Sequence, residues 1–590
     1  MATWLRIAAI CTAVPRQLLA VPLFLLFFWL ALNSLVLDSP TMDEQNHLAR
    51  GIAFLRSGGD PRLSLEHPPL INSLSALPLL TLPTVVVPFA HPSWADMSPP
   101  DIYWYVFAEE FLWHANQDVT RMIFLGRLPV VFLTMGLALV GFHFARELWG
   151  QWAGLLALFL LLFEPNILAH GRLITTDLGG ALFSFLAFYL LWRLWQAAGW
   201  NWRRWLWAGI AIGLAFGSKL STLGFLPIWG VLAVLPLYPP RPGPYWQIAG
   251  RRVVQLATAV LLSLLITWVI FGFEWGLFRF PSETLQFLNS ASGPMPTFWA
   301  GLDQILNVSR GGRAAFLLGE FSDQGFLLYF PIAFLVKTPL AILITLPIAA
   351  IVRLWQRHTR RQALYLLIPA IYYFALSMWS GVNIGYRHLL PMLPLLLVLI
   401  SGLVAGIQLS GDQVSGARWQ RKPISDYGSR LTNYGLRITL FTFPLLLLME
   451  TLTIHPHYLS FFNMAAGGPT NGPRLLSDSN VDWGQDLRRL QIWMAEHEVD
   501  SLKLGWFGTA VPAYYGLHYE PLPGFPRPEF YALWTAPPFD PAQPEPGLYA
   551  ISASSLWESH WANKTVYPWF RAREPDDRVG YSIWIYEIED

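Results

Sequence analysis

Apolar residues run in blocks separated by short polar breaks. The blocks approach the ~20 residues that carry a helix across a bilayer. They fall at 18–37, 126–146, 152–168, 177–196, 205–218, 221–237, 253–273, 331–352, 362–379, 389–408 and 435–453. This pattern predicts a polytopic α-helical membrane protein with about eleven spans. The fifth and sixth blocks are short and meet at Gly217-Ser218-Lys219. No broken helix and no paired repeat is expected from the pattern.

The polar breaks differ in charge. With the N-terminus in the cytoplasm, the inner segments carry Arg6 and Arg16, then Arg146, then Arg193, Arg203 and Arg204. Arg241, Arg251 and Arg252 follow, then Arg353, Arg357, Arg360 and Arg361, and last Arg418, Arg421, Lys422, Arg430 and Arg437. Short basic turns are where the positive-inside rule holds, and an odd span count then puts the C-terminus outside.

Three outer segments are too long for turns: 38–125, 274–330 and 454–590. In the first, Leu70–Ala90 is apolar but broken by Pro78, Pro83 and Pro88, which predicts one or two helices lying on the membrane. In the third, Gln485–Glu498 has helical periodicity, and Ser501–Gly508, Gly547–Ser552 and Tyr581–Glu587 read as strands. Proline-rich connections lie between Pro521 and Pro546. The expected organisation is a membrane catalytic domain over 1–453 and a small α/β domain over 454–590, outside the membrane.

Hydrophobic residues make up 54% of the 590 and charged residues 13%, with a net charge of +1. No basic surface invites nucleic acid. Cys11 is the sole cysteine, which excludes an intrachain disulfide and a cysteine-based metal site. The 29 Trp and 39 Phe residues fit interfacial belts better than ligand stacking. The first apolar block is too long for a signal-peptide core and no A-x-A site follows it, so it is expected to stay as the first span.

Chemistry concentrates at the outer ends of the spans. Asp43-Glu44 follows the first span directly, and carboxylates beside lipid are costly and usually kept for function. Thr41-x-x-Glu44 is also a capping box, so Glu44 either starts a helix or reacts. Asp177 opens the fourth span on the same outer face. It either serves the helix dipole or joins Asp43 in an acid–base or divalent-cation site. Arg127, Lys219, Lys337 and Arg387 also stand at outer span ends, where the positive-inside rule does not ask for them. Each either snorkels to headgroups or helps hold a phosphate. Gly385-Tyr386-Arg387-His388 sets a hydroxyl and a cation together in a short turn, and His67-Pro68-Pro69 presents an imidazole on a rigid one.

These residues together resemble the polyprenyl-phosphate-dependent glycosyltransferases of the GT-C fold, in particular glycosyltransferase family 39. That group holds the protein O-mannosyltransferases and the aminoarabinose transferases of lipid A. The matching elements are Asp43-Glu44, His67-Pro68-Pro69-Leu70, Gly126-Arg127-Leu128-Pro129, Glu164-Pro165 leading to Arg172 and Asp177, and Lys219. The tail resembles bacterial members through His455-Pro456, Phe462-Asn463, Gly467-Gly468-Pro469 and Asp478-Ser479-Asn480-Val481-Asp482-Trp483-Gly484-Gln485-Asp486-Leu487. There are departures. His47 stands three residues after the acidic pair rather than two, His67 replaces a lysine of the aminoarabinose enzymes, and 274–330 holds no sugar-binding insert.

The resemblance implies inverting transfer of a sugar from a polyprenyl-phosphate donor to a protein, lipid or glycan acceptor at the outer face of the plasma membrane. It implies catalysis by Asp43, Glu44 and Asp177. Substrate binding would fall to His67, Arg127, Arg172, Lys219, Lys337, Tyr386 and Arg387. No cofactor is certain; a divalent cation held by Asp43 and Asp177 is the one the pattern allows. A transporter or flippase of lipid-linked sugars is the rival reading.

Overall fold

The computed structural model describes residues 16–96, 103–405, 442–522, 539–540, 542–557 and 566–589. Cys11, Arg6, the basic segment 418–437 and most of the proline-rich connection lie outside them. Every apolar block is helical where described, and the chain is a helical membrane protein. Among the described residues four helices are long and apolar enough to cross alone: Val119–Trp149, Thr176–Trp195, Tyr245–Ile270 and Arg360–Trp379. The count of eleven full spans is therefore not reproduced by length. Helices such as Ala20–Val36 and Gln151–Phe163 have 17 and 13 residues, less than the ~20 that a straight crossing takes.

The block at 331–352 is two helices, Tyr329–Lys337 and Leu340–Trp355, meeting at 110°. Pro339 causes the break. It lacks an amide to donate and forces Thr338 out of the helical region, to ψ 133°. Leu70–Ala90 also departs from expectation. It is helical only over Pro69–Ala76 and Leu77–Thr81, and Ile71, Ala76 and Leu79 are fully buried. One face of this piece packs against helix Glu44–Arg56, while Leu77 and Leu80 stay exposed on another. The two approach so closely at Gly51 that a Cβ there would stand 1.9 Å from the Asn72 carbonyl oxygen.

The tail forms a five-stranded sheet in the order Tyr519–Pro521, Leu502–Gly505, Gly547–Ser552, Ile583–Ile588, Asp577–Val579. The first three strands are parallel and the last two pairings antiparallel. Helix Leu487–Glu496 packs Leu487, Leu490 and Met494 against Leu504, Ala550 and Ile585. The predicted helix and three strands are present, the helix and the first strand shorter than expected and Gly547–Ser552 as expected; the two short edge strands are additions. The tail does not stand apart from the membrane part. Tyr458, Leu459, Phe461, Phe462 and Trp483 share one core with the spans and with Tyr549, Ile551 and Trp584 of the sheet.

Candidate active site

Four chain segments bring charge to one point. Asp43 stands at the start of helix Glu44–Arg56 without making a cap bond. Asp177 lies in the first turn of helix Thr176–Trp195. Lys219 ends helix Trp202–Ser218 in an extended conformation, and Gly180 leaves room for its stem, since a Cβ there would lie 3.0 Å from that of Lys219. Arg387 sits in the turn Tyr386–Leu389.

Arg387 bridges the two acids. Its Nη1 lies 3.2 Å from Asp43 Oδ2 and 3.6 Å from Asp177 Oδ2. Lys219 Nζ pairs with the other oxygen of Asp177. Two carboxylates and two cations thus form a neutral quartet. The acids are not equivalent: the Asp43 side chain is 25% exposed and that of Asp177 only 4%. Burial works against the charge on Arg387, but Asp177, Asp43 and Asp478 more than offset it and raise its pKa.

His67 borders this quartet. Its Nδ1 is 3.4 Å from Thr176 Oγ1, and its ring stands edge-on to that of His47 at 4.7 Å. His47 Nδ1 is 2.9 Å from Asn72 Oδ1. Burial, then Arg50, lowers the pKa of His47 to about 4. Burial, then His47 and Arg50, brings His67 well below its ordinary value too. Both are neutral imidazoles near neutrality, so His67 offers a hydrogen bond and not a charge.

Five residues grouped with this site by sequence are engaged elsewhere. Glu44 and Arg127 form a buried pair, Nε–Oε1 2.9 Å and Nη2–Oε2 2.6 Å. Arg127 also donates to the carbonyls of Leu35, Asp38 and Ser39, each at 2.9 Å. Its five N–H groups are then all used, and none is left for a phosphate. Glu44 further accepts from the amides of Thr41 and Ile174; this is one half of the capping box, while the Thr41 hydroxyl donates to the same carboxylate and the Glu44 amide turns to the Thr41 carbonyl. Arg172 pairs with Asp38 in the interior. Lys337 donates to the carbonyls of Leu459 and Asn480. The Tyr386 hydroxyl bonds to Thr338 Oγ1 at 2.8 Å.

The string 478–487 is packed behind the site. The amides of Ser39 and Met42 each donate at 2.9 Å, to the carbonyls of Gln485 and Trp483. Ser39 Oγ donates to the Gly484 carbonyl at 2.8 Å. Arg489 Nη1 lies 2.7 Å from Asp38 Oδ1. Burial pushes Asp38 up, but Arg172, Arg489 and Arg127 prevail and hold it at about 2. The Arg387 guanidinium lies over the Trp483 ring, 4.1 Å from its centroid, and the His170 ring meets that indole edge-on at 6.1 Å. Neither Trp483 nor His170 is reached by sequence reasoning about the site. An indole inside an acidic string at an outer loop is the signal that could have found the first.

Asp482, in the same string, is fully buried and accepts from the amides of Ser554 and Gly484 at 2.9 and 3.1 Å. Burial outweighs these donors and raises its carboxyl from 3.8 to about 8. Such a group keeps its proton in the folded chain where the unfolded chain has lost it. Its stabilising effect is present in acid, falls as pH rises above 3.8, and is gone above about 8. The unfolding temperature of the wild type should therefore fall as pH rises across that window. Asp482→Asn should show a flatter curve, and parallel curves would refute the assignment.

A divalent cation does not fit between Asp43 and Asp177, because the guanidinium of Arg387 already fills that place. Among the described residues no three His, Cys, Asp or Glu side chains are grouped to hold a metal ion.

Residues 121–271 match the family model described as dolichyl-phosphate-mannose-protein mannosyltransferase. The matched segment holds Asp177 and Lys219, and over it the resemblance seen in the sequence is borne out. Among solved structures the chain is similar to ArnT from Cupriavidus metallidurans in the apo state, at 13% identity over 96% of this chain and 97% of that one, TM-score 0.47. The same protein bound to undecaprenyl phosphate gives the same identity and coverage with a TM-score of 0.46. The archaeal oligosaccharyltransferase AglB from Archaeoglobus fulgidus, in complex with an inhibitory peptide and a dolichol-phosphate, is 14% identical over 74% of this chain and 56% of that one, TM-score 0.38. No curated protein matches the chain.

Proposed function

We propose that this chain is a membrane glycosyltransferase that moves a sugar from a polyprenyl-phosphate donor to a hydroxyl or amine of a protein, lipid or glycan, with inversion at the anomeric carbon. One observation carries the reading: an accessible carboxylate, Asp43, pairs with Arg387, and a second and buried carboxylate, Asp177, pairs with both Arg387 and Lys219.

Asp43 takes the proton of the acceptor as its oxygen or nitrogen attacks the anomeric carbon. The bond from that carbon to the phosphate oxygen breaks, and its electron pair leaves with the polyprenyl phosphate. That leaving group needs no acid. Its growing negative charge is met by Arg387 and Lys219, in a site where they are already oriented. Asp177 neutralises the two cations between turnovers and keeps them aimed. No step calls for a metal ion.

The test is transfer by the purified full chain from polyprenyl-phosphate sugars to an extract of membrane lipids and surface proteins. Release of polyprenyl phosphate with an inverted product supports the reading. Movement of the intact donor across a vesicle bilayer without cleavage would replace it with a flippase.

The reaction face is proposed as the outer one, with the N-terminus cytoplasmic and residues 454–590 outside the plasma membrane. Ser501 is exposed and suits a topology test; Ser554, in contrast, is buried. With Cys11 replaced, Ser501→Cys should react with a membrane-impermeant thiol reagent in intact cells. Reaction only after lysis would place the domain, and Asp43 with it, on the inner face.

A further inference from the structure

Arg387 must hold its place while its partners change. Once an acceptor engages Asp43 and a phosphate approaches, both groups compete for the hydrogens that pair the resting site. A long side chain held only by those carboxylates would follow whichever moved. Its Nε is buried with no hydrogen-bond partner among the described residues, so the ion pairs leave that part of the guanidinium unfixed.

The face of the guanidinium has a partner that does not change. Trp483 is 2% exposed, and its ring centroid is 4.1 Å from the Arg387 guanidinium carbon. The indole is itself anchored. The Trp483 amide donates to Gln485 Oε1 at 2.8 Å, and its carbonyl accepts from the amide of Met42. The same segment grips the backbone on the near side of Arg387. Asn480 Oδ1 accepts from the Tyr386 amide at 3.0 Å, and Ser479 Oγ donates to the Ile384 carbonyl.

We infer that Trp483 is a positioning residue for Arg387, and that the segment 478–485 is thereby one wall of the transfer site. The inference rests on the function proposed above. An aromatic face suits the task better than a third carboxylate would. It attracts the flat side of a guanidinium without using its in-plane N–H groups, which stay available to a phosphate. A carboxylate would compete with the phosphate for those same hydrogens.

The experiment measures binding of a short-chain polyprenyl phosphate to the purified full chain in detergent. Trp483→Leu should bind about 10–30-fold more weakly, the worth of a desolvated cation–π contact, and Trp483→Phe should recover part of that loss. Added to Arg387→Gln, Trp483→Leu should cost less than about twofold further, because its effect runs through Arg387. Fluorinated tryptophans placed at position 483 keep the ring's shape and weaken its negative face. Affinity should fall stepwise with fluorine number, and this series holds even where Trp483→Leu does not fold. A flat fluorine series, or a Trp483→Leu loss that persists in full on Arg387→Gln, would overturn the positioning role while leaving the glycosyltransferase reading standing. A wild-type chain that binds no polyprenyl phosphate would overturn both.

Discussion

Asp43→Asn lowers transfer by about 10²–10⁴-fold, the usual contribution of a general base, and leaves the fold as stable as the wild type. The side chain makes no cap bond, is a quarter exposed, and among the described residues has a single ion-pair partner, Arg387. Asparagine keeps its size but cannot take the acceptor's proton. The variant also frees Arg387 from one of its two acids, so binding of polyprenyl phosphate should hold or tighten while turnover collapses. This split separates loss of a base from loss of a binding group. Turnover near that of the wild type would refute the role, as would a fall in turnover matched by loss of donor affinity.

Glu44→Gln, one residue along, fails in the opposite way. It removes the charge facing Arg127 in the interior, and an uncompensated buried charge costs about 3–5 kcal/mol. One of the two acceptor oxygens also becomes an NH2 donor, which faces an amide and a guanidinium N–H that can only donate. The expected result is a clearly lower unfolding temperature and poor yield, with near-normal turnover per folded molecule at low temperature. Arg127→Gln should behave alike. Equal unfolding temperatures for wild type and Glu44→Gln would mean that the pair contributes little. Under the proposed function adjacent acids divide the work: Asp43 serves as the base, and Glu44 holds the loop that presents it.

That division was only half legible in the sequence. Asp43, Asp177, Lys219 and Arg387 could be found because each is a charge at a span end, where neither the lipid nor the topology rule requires one. Arg127 and Lys337 satisfy the same criterion and serve another purpose. The difference lies in their partners: three carbonyls and Glu44 for the first, the carbonyls of Leu459 and Asn480 for the second. Backbone carbonyls carry no sequence signature, and partners 122 residues away, as Leu459 is from Lys337, cannot be read from spacing. The helices were legible because a run of apolar side chains is a local property. The 110° bend was marked by Pro339, although a proline at a helix start and one at a break look alike in sequence. The string 478–487 stood out, but its role depends on a guanidinium nearly a hundred residues earlier in the chain.

The bond from Ser39 to the Gly484 carbonyl joins residues 445 positions apart. Closing so long a loop is entropically costly and comes late in assembly. Synthesis runs from the N-terminus, so the loop that carries Asp43 reaches the membrane surface long before the residues that brace it exist. A ribosome must pass Trp483 before Arg387 has its aromatic partner and before Ser39 and Met42 have their acceptors. Full affinity for a donor phosphate is thus expected only once the tail has been made. Fragments that stop after the last span carry every charged member of the quartet but lack the residues that back it.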